Sequence, residues 1–167
     1  MSTIERVPHD WPNRTASQSV RIGALDWHVQ LAGSGPALCL LHGTGSSAHS
    51  WGAMLPMLAR SATVIAPDLP GHGFTTGASR RSLNLPAIAS ELRRLIEALA
   101  IPGPLFLVGH SAGAALALRW ALDAPEAPPA AILGFNPSLV APPAFYTRVL
   151  GPVITPVATS GPVTGLL

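Results

Sequence analysis

Residues 105–118, LFLVGHSAGAALAL, constrain the fold more than any other stretch of this 167-residue chain. An apolar run of strand character ends in Gly109-His110-Ser111-Ala112-Gly113, and a small-residue helix begins at once. A strand that becomes a helix with no loop between needs a very sharp turn. At its apex Ser111 is forced into strained backbone, with its hydroxyl projecting from the sheet edge as a nucleophile elbow. Side chains at Gly109 and Gly113 would collide with neighbouring strand and helix backbone, so glycine is expected at both. The positive end of the new helix faces any negative charge that forms there. The plainer reading makes Ser111 only a helix cap. The flanking LFLV and AALALRW favour the nucleophile.

The rest of the chain supplies a sheet for such an elbow. SVRIGALDWHVQL (19–31) reads as two short strands joined near Gly23. ALCLL (37–41) suits a strand buried on both faces, and TVIA (63–66) a second. A helix with a serine N-cap is expected from about 49 to 60. The clearest helix is 84–100: Leu85, Ile88, Leu92, Leu95, Ile96 and Leu99 share one face, with Asn84 as cap and Pro86 tolerated in the first turn. After the strand at 105–108 and the helix from Ser111 to about Asp123 comes a last strand, 131–135. Strands alternating with helices imply the α/β class, a mostly parallel sheet covered on both sides.

Composition excludes several functions. At 48% hydrophobic and 11% charged, the chain can bury a core and is not of disordered type. Ten basic residues against eight acidic ones leave a net charge of only +2, and the arginines are scattered or paired, so no nucleic-acid partner is expected. The single cysteine, Cys39, lies in an apolar strand, which rules out a disulfide framework or a cysteine-based metal site and fits a reducing compartment. MSTIERVPHDWPNR carries charges and prolines where a signal peptide needs an apolar stretch, so a cytoplasmic location is expected. Residues 149–167 hold no charge, yet Gly151, Pro152, Pro156, Gly161, Pro162 and Gly165 interrupt them. An apolar cap or lid, with peripheral membrane contact open to it, is expected there rather than a spanning helix.

Acyl transfer at a serine needs amides aimed at the oxyanion of the tetrahedral intermediate. The amide of Ala112 is one candidate. The loop His42-Gly43-Thr44-Gly45 follows an earlier strand and contains glycines, so the Thr44 amide is the second. His42 is read as holding this loop, not as a base, and His110 is expected to point away from Ser111. Asp68 and His72 lie in PDLPGHGFT and are read first as turn builders. Phe74 and Asn136 are expected to border the pocket, Phe145 and Tyr146 to contact substrate from the cap. Trp51, Trp120 and Cys39 are read as core.

LLHGTGSSAHSW, APDLPGHGFT and VGHSAGAALAL, in this order and spacing, resemble the α/β-hydrolase superfamily. More narrowly, DWPNR, HGTGSSAHSW and the PDLPGHGFT loop resemble the magnesium-chelatase accessory hydrolases of bacteriochlorophyll biosynthesis. The resemblance covers about residues 10–140. It implies an incomplete α/β-hydrolase core at 1–137, with the start of a cap at 138–167. It also implies a hydrolase-like protein beside magnesium insertion into a porphyrin, whose partners are an apolar ester-like or tetrapyrrole substrate and the chelatase subunits. No cofactor is implied for this chain, because magnesium and nucleotide belong to the chelatase and no Walker-type loop is present. Serine in the elbow, where epoxide hydrolases and dehalogenases carry aspartate, favours acyl transfer.

The superfamily's triad runs serine, acid, histidine along the chain. Here all six histidines (9, 28, 42, 49, 72, 110) precede Ser111. Of the two later acids, Asp123 lies twelve residues along the same helix, roughly 18 Å away. Two readings stay open: a longer hydrolase of which this is a truncated piece, or a non-catalytic protein binding a tetrapyrrole or the chelatase. Under the first, an acid and a histidine are expected beyond residue 167, the 167 residues alone are expected to turn over negligibly, and the strand at 131–135 is an unprotected sheet edge.

Overall fold

A computed structural model describes residues 3–139; the cap expected at 138–167, with Phe145 and Tyr146, lies almost wholly outside them. Six strands, β1 (Ser17–Ile22), β2 (Leu25–Ala32), β3 (Ala37–Leu41), β4 (Thr63–Pro67), β5 (Leu105–His110) and β6 (Ala131–Phe135), form one sheet in the order β1-β2-β4-β3-β5-β6. The first pairs are antiparallel, and β4, β3, β5 and β6 run parallel. Gly23 at φ +56° supplies the positive φ required at the first position of the two-residue turn between β1 and β2.

Alternation along each strand builds two cores. On one side Cys39, Leu41, Ile65 and Leu107 pack with α2 (Leu85–Leu99) and α3 (Ala112–Asp123), whose Leu92, Leu95, Leu116 and Trp120 are buried. On the other, Leu40, Val64, Ala66 and Val108 meet Ala48, Trp51 and Leu55. A chain buried on both faces must be apolar throughout, which is why β3 reads ALCLL. Each fully buried leucine contributes about 1.5–3 kcal/mol. Asn84 caps α2 by accepting from the Ala87 amide at 3.0 Å.

The helix expected over 49–60 is corrected. A 3₁₀ turn spans Ala48–Trp51, and a single α-turn, α1, spans Leu55–Leu58. Gly52 sits between them, and Pro56 has no N–H to return to residue 52, so one continuous helix cannot form. Ser47 makes no side-chain cap bond. At the other edge of the sheet β6 is mostly exposed, with Leu133 and Phe135 open to solvent.

Candidate active site

Ser111 stands between β5 and α3 at φ 53°, ψ −116°, a conformation that costs about 1–3 kcal/mol. Its hydroxyl does not cap α3, so the helix-cap reading does not hold. The surrounding backbone over-determines the strain. The Ser111 amide donates to the Phe135 carbonyl at 2.9 Å, and the Ser111 carbonyl accepts from the amides of Ala114 and Ser138. A Cβ on Gly109 would lie 2.4 Å from the Ala114 nitrogen, and one on Gly113 2.2 Å from the Leu41 carbonyl oxygen. Both glycines are required because backbone, which cannot swing aside, occupies the space.

The 42–45 turn lies directly against the serine: a Cβ on Gly43 would sit 3.1 Å from Ser111 Cβ. No hydrogen bond among the described residues uses the Thr44 or Ala112 amide. Two consecutive residues of the loop after β4 hold this turn from both ends. The Leu69 amide donates to His42 Nε2 at 2.9 Å, and the Ala48 amide donates to Asp68 Oδ1 at 2.7 Å. His42 Nδ1 lies 2.8 Å from the Gly43 carbonyl, so a neutral ring with its proton on Nδ1 satisfies both contacts. Burial pushes the His42 pKa down to about 4. A neutral ring with both nitrogens engaged braces the loop and is not a base for Ser111.

A cavity of about 470 Å³ opens over the hydroxyl. Gly43, Thr44, Ser46 and Ser50 form one wall, Trp51 and Met54 another, and His110 and Phe135 the third. Three site expectations are corrected. His110 lines this cavity instead of pointing away, since it lies in register with Phe135 and the unusual φ begins only at Ser111; no hydrogen bond joins it to the serine. Phe74 does not line the cavity. The Asp68 carboxylate holds its amide at 2.8 Å, and its ring packs edge-on against Trp11 and His28. Asn136 is absent from the lining as well: at φ 44° it turns the chain back over Ser111, and Phe135 takes the wall.

Sequence reasoning missed a buried chain of polar groups. His28 Nε2 contacts Ser17 Oγ at 2.9 Å and His28 Nδ1 contacts Asp68 Oδ2 at 2.8 Å, with His28 and Asp68 fully buried. Burial raises the Asp68 pKa, but the hydrogen bond and charge of His28, with the Ala48 and Phe74 amides, outweigh it and leave the carboxyl below its ordinary value. The residue types match a catalytic triad, yet His28 belongs to β2, three strand spacings from β5 and thus roughly 14 Å from the elbow. This chain ties β1, β2 and the 68–75 loop together. Spacings of 11 and 40 residues leave no local signal for it.

The alpha/beta hydrolase fold family matches residues 36–139, which span β3, the elbow and β6. The chain belongs to that family. Across 135 residues this hydrolase-fold chain is 42% identical to the magnesium-chelatase 30 kDa subunit of Rhodobacter capsulatus, covering 80% of itself and 46% of that protein. It is 38% identical over 113 residues to an esterase of Mycobacterium tuberculosis, covering 65% of itself and 34% of that protein. Among solved structures, a putative lipase from Acinetobacter baumannii superimposes at TM-score 0.71 and 30% identity, over 82% of this chain and 47% of that one. The chain therefore spans less than half the length of these relatives. Among the described residues, no helix is long and apolar enough to cross a membrane.

Proposed function

We propose that Ser111 is the nucleophile of a serine hydrolase of the acyl-transfer type, accessory to magnesium chelatase in bacteriochlorophyll biosynthesis. The observation that carries this reading is the strained serine, with no capping role, beside a cavity and next to two amides without hydrogen-bond partners among the described residues. Oγ adds to the substrate's carbonyl carbon, and the oxygen takes the negative charge between the Thr44 and Ala112 amides. Each such donor is worth about 3–4 kcal/mol. Collapse of the adduct breaks the bond to the leaving group and leaves an acyl-serine.

The serine's proton needs a base, and none of the described histidines is hydrogen-bonded to Ser111. On this reading the acid and histidine come from sequence other than these residues, as the covered share of the relatives supports. The 167 residues alone are then inactive, and ester hydrolysis by them that Ser111→Ala abolishes would overturn that. The chelatase link is supported by the name of the Rhodobacter relative, and an apolar substrate by Trp51, Met54 and Phe135 around the cavity.

The unassisted hydroxyl favours a second reading, a non-catalytic protein that binds a tetrapyrrole or the chelatase through the same cavity. A serine-hydrolase activity probe on the product of the complete coding sequence separates the two. Labelling at Ser111 supports the first; no labelling, with tetrapyrrole binding indifferent to Ser111→Ala, supports the second.

A further inference from the structure

The DWPNR stretch, residues 10–14, lies outside the 36–139 span matched by the hydrolase family, yet it reaches the wall of the serine's cavity. That wall carries Trp51 and Met54 on a segment that cannot brace itself. Its 3₁₀ turn ends at Trp51, and Pro56 lacks the N–H that a continuing helix would return to the Gly52 carbonyl. Asn13 supplies the missing donor: its Nδ2 gives that oxygen a hydrogen bond of 2.8 Å. Asn13 holds φ 54°, a left-handed conformation that asparagine adopts more readily than most residues. Trp11 packs edge-on against His49 at a ring separation of 5.4 Å and against Phe74 at 4.9 Å. The Pro12 carbonyl accepts from Nε2 of the buried Gln30 on β2 at 2.6 Å, which fastens the stretch to the sheet. Ser50 and Trp51 thus lie between two contacts made by the N-terminal stretch, one at His49 and one at Gly52.

We propose that residues 11–13 are a positioning strap for the Trp51–Met54 wall, through which Trp11 and Asn13 set how tightly the cavity grips a substrate's apolar arm. With the wall held in advance, such an arm meets surface that is already ordered. With the strap loosened, binding must order the wall and affinity falls. Ser111 is braced separately by the Phe135 carbonyl, and the 42–45 turn by the Leu69 amide on His42. The loss therefore falls on KM and leaves kcat. That effect rests on Ser111 being the nucleophile; the pinning of the wall does not.

The test uses the product of the complete coding sequence and its Asn13→Gly variant, which keeps the left-handed backbone accessible and removes only the donor. In hydrogen exchange, the amides of 48–58 should exchange about fivefold faster, the weight of one hydrogen bond, and those of 105–118 should stay within about twofold. KM for benzyl phenylacetate should rise about three- to tenfold with kcat within about twofold. For methyl acetate, which has no such arm, kcat/KM should hold within about twofold. Trp11→Ala should act in the same direction, and Trp11→Phe, which keeps an edge-on ring, should restore the parent values. Unchanged exchange at 48–58 in both Asn13→Gly and Trp11→Ala would overturn the strap. So would exchange that quickens equally at 105–118, or a methyl acetate rate that falls as far as that of benzyl phenylacetate, since these residues would then stabilise the fold at large. Faster exchange with KM unmoved would overturn the effect on the substrate. Failure to cleave either ester strikes instead at the acyl-transfer reading, and exchange still decides the strap.

Discussion

Gly113→Ala sets two physical effects of opposite sign against each other. Alanine is the better helix former by about 1 kcal/mol, and Gly113 is the second residue of α3, so propensity alone favours the variant. The added Cβ, however, would lie 2.2 Å from the Leu41 carbonyl oxygen, 2.6 Å from its carbon and 2.8 Å from the His42 carbonyl oxygen. Ordinary contact begins at 3.4 Å, so α3 and β3 must part by about 1.2 Å. Both partners are backbone inside the sheet core, and overpacking of this kind costs about 1–3 kcal/mol. Sterics win on balance: a net loss of about 1 kcal/mol, and up to about 2, or a Tm lower by about 2–4 °C and up to about 8 °C, is expected in scanning calorimetry. The same displacement moves Ser111 away from the 42–45 turn, and a misplacement of about 1 Å costs about a hundredfold in rate. Activity-probe labelling should therefore slow by about that factor. Gly103→Ala is the control, since its Cβ meets nothing within 4 Å and only the strain of φ +95° remains. A Gly113→Ala protein with raised Tm and unchanged labelling would refute the steric account of the elbow.

Three further outcomes are expected. Ser111→Gly relieves the positive φ and should raise the Tm by about 2–4 °C, measured by calorimetry, while removing probe labelling altogether. His42 is buried neutral with a folded pKa of about 4 against about 6.5 unfolded, so only the unfolded chain takes up its proton between these values. Stability is thus lost as pH falls from 6.5 to 4, by up to about 3 kcal/mol, and denaturant titrations of His42→Gln should show a shallower slope in that window. Finally, Leu133→Lys on the exposed face of β6 should lower light scattering by the 167-residue chain, because that strand edge is free among the described residues.

How much of this was legible in the sequence depended on how local the cause was. The elbow was readable because its strand, turn and helix are contiguous and Gly109 answers to the nearby backbone of Ala114, whereas the Leu41 backbone that excludes a side chain from Gly113 comes from a distant strand. The register of β5 with β3 and β6, by contrast, appears only in three dimensions, and with it the placement of His110 and Phe135 on one cavity wall. Counting alternation back from His110 shows why its side chain stays on the face of Val108. The break at Gly52 and Pro56 was visible, but the apolar residues on either side concealed it as one helix. The bond between His28 and Asp68 joins two strands through their packing, which no periodicity encodes.

The state of the Ser111 hydroxyl is the central question, and mass spectrometry of the probe-treated product of the complete coding sequence addresses it directly. The expected result is a single adduct on the peptide carrying VGHSAGAALAL, assigned to Ser111, and its disappearance in Ser111→Ala. A folded protein that takes no label at that serine, or takes it at Ser17 instead, would contradict the account.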